Sequence, residues 1–144
     1  DRFEDRAEYM ARYPGDDYVD IMGYDDYGNI HSVDSIPVLA GFLRDVVELA
    51  EERGKIPAMT ETGQNAVTNP NWYTSILLNA FTSDEVAQRM AYVLVWRNAN
   101  NEHDRPNHFY VPYPGHPAAE DFVRFRNDPF VLFESDLPNM YSVD

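Results

Sequence analysis

Glu61 stands directly after a run of strand-like character, residues 56–60, and a Thr62-Gly63 break follows it at once. Two further runs of strand length end in residues able to do chemistry. Residues 18–23 lead into Asp25, Asp26 and Tyr27, and residues 90–95 lead into Trp96 and Arg97. If the three strands are parallel neighbours, these ends converge on one rim. Hydrolysis of a glycosidic bond uses two carboxyl groups flanking the bond: one protonates the leaving oxygen, the other attacks the anomeric carbon or activates water. An arginine and a tyrosine hydroxyl beside the attacking carboxylate hold it ionised and oriented, by charge and by hydrogen bonding. An indole face suits the apolar side of a sugar ring. Each residue also has a plainer reading. Glu61 can be a loop glutamate solvating a strand end, and Asp25 and Asp26 can simply solvate a turn.

The elements that must position these groups alternate between helix and strand. Residues 2–12 read as a short helix burying Phe3, Tyr9 and Met10. Tyr13-Pro-Gly-Asp-Asp is turn chemistry, since Pro fixes one dihedral and Gly tolerates the opposite sign of the next. In residues 36–53 Leu39, Phe42, Leu43, Val46, Val47 and Ala50 recur at three- and four-residue spacing. Ser35 is a cap for that helix, Pro37 is tolerated in its first turn, and Gly54 ends it. Beyond Glu61, Trp72, Ile76, Leu77, Ala80 and Phe81 share one helical face, with Trp72 read as a core or loop anchor. Ser83 and Asp84 start a short helical turn through Arg89. The nearly continuous apolar run 90–96 predicts a strand covered on both faces. A long loop, 99–117, precedes a last helix over 118–127. Strand-helix units in succession define an α/β fold. In a closed barrel of such units, residues at the C-terminal strand ends point into the active site.

Composition narrows the partners. Eleven basic against 25 acidic residues give a net charge of −14, which repels nucleic acid and anionic membrane surfaces and leaves a neutral substrate unaffected. No Cys is present, so neither a disulfide nor a thiol nucleophile is available. No apolar run approaches the roughly 20 residues of a membrane helix. The chain shows no signal peptide or initiator Met and starts at Asp1 within a helical pattern, as a piece of something longer would. His103, His108 and His116 with Asp104 have spacings that match no common structural zinc pattern, so no metal and no cofactor is assigned. His108 and Tyr110 are instead placed in the wall of a cleft. Asp20 is read as a buried hydrogen-bonding group, and Glu102, Glu120 and Glu134 as solvated.

Three ordered segments carry a family resemblance: Tyr-Pro-Gly-Asp-Asp-Tyr-Val-Asp-Ile-Met-Gly-Tyr-Asp-Asp-Tyr (13–27), Met-Thr-Glu-Thr-Gly (59–63) and Val-Trp-Arg-Asn (95–98). Together they resemble the last three strand motifs of glycoside hydrolase family 26, composed mainly of endo-β-1,4-mannanases. The resemblance implies a (β/α)8 TIM barrel of which residues 1–144 supply about the last three β/α units, strands six to eight. It implies a retaining mechanism with Glu61 as nucleophile and Tyr27 orienting it. Trp96 and Arg97 then line the subsite of the sugar under attack, and Asp25 and Asp26 support that site or contact the sugar. The family's acid/base glutamate lies in a His-Glu motif on strand four, and this chain has no His-Glu pair. The expected partners are therefore a β-mannan polysaccharide and the remaining N-terminal part of the same barrel, without which the chain is expected to be inactive. A polymeric substrate implies secretion, a periplasmic location or surface display. Alternatives are a mixed-linkage β-glucanase or β-1,3-xylanase of the same family, or a non-catalytic carbohydrate-binding module.

Overall fold

The computed structural model describes residues 3–99 and 107–139. Three parallel strands, β1 (Ile21–Asp26), β2 (Ile56–Thr62) and β3 (Tyr92–Val95), form one sheet in the order β1-β2-β3. A short helix α1 (Arg6–Met10) precedes β1, and α2 (Ile36–Glu52) links β1 to β2. A π-helical segment, Tyr73–Leu78, runs directly into α3 (Asn79–Thr82) between β2 and β3, and α4 (Ala119–Arg126) follows β3. Parallel neighbours joined through helices are the connection that parallel pairing demands.

α2 forms as its periodicity predicts: Leu39, Leu43, Val46, Val47 and Ala50 are fully buried. Its end is a Schellman motif, with Lys55 N–H donating to the Ala50 carbonyl at 2.8 Å and Gly54 N–H to the Glu51 carbonyl at 3.2 Å. Gly54 adopts φ +65°, a conformation that costs glycine nothing. The N-terminal cap differs from expectation. Ser35 makes no side-chain cap bond; the Ser32 hydroxyl accepts from Asp34 N–H and starts a 3-10 turn, Val33–Ser35, that leads into α2. The core is formed mainly where α2, β2 and the π-helical segment meet, around Met59, Ile76 and Leu77, and an aromatic group of Phe3, Tyr9, Tyr24 and Phe42 closes one side.

Several boundaries move. α1 is shorter than residues 2–12 because the Asp5 carboxylate caps it, accepting from Glu8 N–H at 2.9 Å. β1 begins at Ile21, leaving Tyr18 81% exposed and Asp20 exposed rather than buried. In compensation β1 takes in Asp25 and Asp26, and β2 extends through Glu61 and Thr62. These polar residues stay in strand because the ladder continues, Asp25 opposite Glu61 and Asp26 opposite Thr62, against their weak strand propensity. The register slips by one residue between Tyr24 and Asp25, and again between Met59 and Thr62 on the β3 side. Such irregularities re-aim side chains beside functional sites. β3 is shorter than the apolar run, and only one face is covered: Val93 and Val95 pack on the core, whereas Tyr92 and Leu94 are 43% and 42% exposed. The Ser83–Arg89 segment tightens to a 3-10 turn, Ala87–Arg89, held by the Asp84 carboxylate accepting from the Val86 and Ala87 amides. Phe130 and Leu132 are exposed, and only Val131 between them reaches the core.

Candidate active site

Side chains alternate along β1, so Met22, Tyr24 and Asp26 are buried while Gly23 and Asp25 turn to the opposite face, which Tyr27 continues. Trp96, one residue beyond β3, donates its amide to the Thr62 carbonyl at 2.8 Å, aligning the third strand end with the second. The three ends therefore meet on one rim. There Tyr27 Oη donates to Glu61 Oε2 at 3.2 Å. A cleft of about 470 Å³ opens at this point, lined by Tyr27, His31, Glu61, Gly63, Asn65, Trp96 and Tyr110. Among the described residues that line it, Glu61 is the one carboxylate. Removal from water, then the charge and hydrogen bond of Glu61, raise the Tyr27 phenol far above its usual range. It stays a hydroxyl, and hence a donor to Glu61, at any ordinary pH.

Tyr110 enters the cleft by a return of the long loop. Asn98 acts as a splint: its Oδ1 accepts from the Tyr110 and Val111 amides at 2.9 and 2.8 Å, and its Nδ2 donates to the Val111 carbonyl at 3.0 Å. Tyr73, first residue of the π-helical segment, donates its hydroxyl to the Tyr110 carbonyl at 2.5 Å. The Tyr110 ring then lies edge-on to Tyr27, centroids 6.0 Å apart, and directly over Gly63. A Cβ on Gly63 would sit 2.6 Å from the ring, and Gly63 has φ +146°, so this position is closed to other residues on two counts.

Of the eight residues proposed from sequence, the fold brings Tyr27, Glu61, Trp96 and Tyr110 into the cleft. His108 stands behind it, its Nε2 3.2 Å from the Tyr110 hydroxyl. Arg97 is exposed and its guanidinium lies over the Trp96 ring, 5.9 Å from the centroid, instead of lining the cleft. Asp25 is beside the cleft, accepting from the Thr60 hydroxyl at 2.7 Å. Asp26 is turned away: it is buried and bonded to Tyr24, Gly28 and Asn29, and its side chain does not face the cleft. The reason is the period of two, which sends adjacent strand residues to opposite faces. His103, Asp104 and Glu102 lie outside the described residues. His116 is occupied locally, its Nδ1 accepting from Ala118 N–H at 3.1 Å. Among the described residues no three His, Cys, Asp or Glu side chains group to hold a metal.

Sequence reading missed His31, Gly63 and Asn65. His31 Nε2 donates to the Tyr27 carbonyl at 3.0 Å, which fixes the imidazole on the cleft rim. Its position in a loop, four residues beyond Tyr27, carries no local signal. Gly63 had one, as a glycine two residues after a strand-end acid. Trp72 anchors the core as predicted, buried with its indole N–H donating to the Ile30 carbonyl at 2.8 Å.

Comparison with known proteins places this geometry among relatives. A family profile described as glycosyl hydrolase family 26 matches residues 1–111. A mannan endo-1,4-β-mannosidase from Bifidobacterium adolescentis is 30% identical over 134 residues, 84% of this chain and 13% of that protein. The structure of a GH26 β-mannanase from Bacteroides ovatus superposes with TM-score 0.84 at 34% identity, covering 99% of this chain and 39% of that one. GH26C from a Muricauda species gives TM-score 0.84 at 37% identity, covering 99% and 38%. The chain thus spans well under half the length of each of these relatives.

Proposed function

The chain belongs to glycosyl hydrolase family 26, and from that premise we propose that it forms part of a retaining endo-β-mannanase in which Glu61 is the nucleophile. The observation that carries this reading is the Tyr27–Glu61 hydrogen bond at the meeting of three parallel strand ends, with the Trp96 indole beside it. In the first step a Glu61 oxygen attacks the anomeric carbon. The bond to the leaving oxygen breaks, and that oxygen takes a proton from an acid/base carboxylic acid. A covalent glycosyl ester results, and water, deprotonated by the same acid/base group, displaces the sugar from Glu61. Tyr27, donating to one carboxylate oxygen, orients the other toward the sugar and favours the ionised nucleophile. Trp96 supplies the flat apolar face against which the ring under attack packs. Asp25 supports the site through Thr60, and Arg97 backs the Trp96 indole.

A retaining pair stands about 5–5.5 Å apart, and among the described residues no second carboxylate lines the cleft with Glu61. We assign the acid/base group to a part of the barrel outside these 144 residues, which then supply strands six to eight as one portion of a single catalytic domain. A β-mannan polymer as substrate would suit secretion, a periplasmic location or surface display of the working enzyme.

Glu61→Ala in the enzyme assembled with its remaining units tests the role. Turnover of galactomannan is expected to fall by about 10³-fold or more while mannooligosaccharide binding persists within a few-fold. Turnover near the parent level would remove Glu61 from the mechanism. Preferential cleavage of mixed-linkage glucan or β-1,3-xylan by the parent would retain the mechanism and change the substrate.

A further inference from the structure

Asp26 is a buried acid for which the mechanism above has no use. Its side chain is 1% exposed, and both oxygens are fully engaged. Oδ1 accepts from the Gly28 and Asn29 amides at 2.6 and 2.7 Å, and Oδ2 accepts from the Tyr24 hydroxyl at 2.5 Å and Asn29 Nδ2 at 2.8 Å. Only a carboxylate offers two acceptor oxygens to this set; the amide of an asparagine would turn an NH2 group on two of the donors. The residue enclosed between the carboxylate and the amides it grips is Tyr27. The Asp26 main chain has a second hold. Its carbonyl accepts from the Thr62 hydroxyl at 2.8 Å, and Thr62 directly follows Glu61. One residue therefore fixes the turn that aims the phenol and the strand end that presents the carboxylate.

Tyr27 needs such support. Its ring is 37% exposed and meets Tyr110 only at an edge. Its bond to Glu61, at 3.2 Å, is already beyond the usual 2.5–3.0 Å for O–H···O, so a shift of a few tenths of an ångström breaks it. We propose that Asp26 is a positioning residue for glycoside hydrolysis: touching neither sugar nor nucleophile, it holds Tyr27 in hydrogen-bonding register with Glu61. This rests on the assignment of Glu61 as nucleophile.

The test uses the full-length enzyme and four variants: Asp26→Asn, Tyr27→Phe, the double variant, and Asn29→Ala, which removes one donor and spares the buried acid. Asp26→Asn is expected to lower kcat on a soluble mannooligosaccharide by about 10- to 100-fold with KM changed less than about twofold. The double variant is expected to be no slower than Tyr27→Phe, because the effect of Asp26 passes through the phenol. Asn29→Ala is expected to lose kcat a few-fold, and it decides the matter should Asp26→Asn not fold. Multiplying losses in the double variant, or an unchanged kcat in Asn29→Ala, would overturn the proposal. Crystal structures of the parent and Asp26→Asn separate this idea from the reading it rests on. A Tyr27–Glu61 bond intact in the variant refutes positioning by Asp26, whatever the substrate. A parent that hydrolyses no β-glycan refutes the nucleophile assignment, and the bond broken in the variant would still establish what Asp26 holds in place.

Discussion

At the scale of single residues the site depends on a hydroxyl that remains a hydroxyl. Desolvation and the neighbouring Glu61 charge raise the Tyr27 phenol, and burial likewise raises Tyr73 and pushes Tyr9 up to about 12. Spectroscopic titration at alkaline pH is therefore expected to show these three phenols ionising above the usual tyrosine range. For Tyr9, whose hydroxyl donates to the Gly23 carbonyl at 2.9 Å, the raised folded value fixes the sign of the linkage. Its contribution to stability is fully present below pH 10 and is lost as pH rises toward about 12, measurable as a decline in Tm over that window. Removing the Tyr27 hydroxyl as Tyr27→Phe is expected to cut kcat by about 10²-fold with little change in KM, since the lost hydrogen bond acts on Glu61, the proposed nucleophile, and not on the bound sugar. Residue types and strand-end position were enough to single out Tyr27, Glu61 and Trp96 in the sequence. They were not enough to separate Asp25 from Asp26. That distinction needs the strand's phase, and the sequence reading ended the strand before either aspartate.

At the scale of elements, α2 and the three strands were legible because each has a local signal: period, cap, breaker. The ends of β1 and β2 were not, because polar residues there are held in strand by cross-strand register, which has no local trace. The π-helical opening of the Tyr73–Thr82 helix was hidden for a related reason. Asp121 on α4 accepts from the Thr74 amide and hydroxyl at 3.1 and 2.5 Å, a contact 47 residues away in sequence that accompanies the wider first turns. Those turns aim Tyr73 at the Tyr110 carbonyl, so an irregular helix serves the cleft wall. The wall gives a prediction of its own. Gly63→Ala would place a Cβ 2.6 Å from the Tyr110 ring. It is expected to destabilise by about 1–3 kcal/mol in chemical denaturation. It should also displace Tyr110, raising KM for oligosaccharides; a variant with parent stability and KM would show that the ring does not form the wall.

At the scale of the whole molecule, these 144 residues carry a net charge of −14, which disfavours polyanions, and the proposed mannan substrate is uncharged, so activity on it is expected to vary little with salt. Among the described residues β1 and β3 each have one neighbour in the sheet, leaving an outer edge unpaired there on both sides. Such edges are covered or paired in stable folds, and the proposed remaining barrel units would pair them. The 144-residue chain alone is accordingly expected to show no turnover of galactomannan, and to gain it on co-expression with those units. The central claim is narrower: Glu61 becomes covalently glycosylated. It is tested most directly by incubating the assembled enzyme with a 2-deoxy-2-fluoro-β-mannosyl inactivator and mapping the adduct by peptide mass spectrometry. The account predicts one sugar per enzyme, on the peptide and side chain of Glu61, with Glu61→Ala left unlabelled. A stable adduct on any other residue, with Glu61 unmodified, would contradict it.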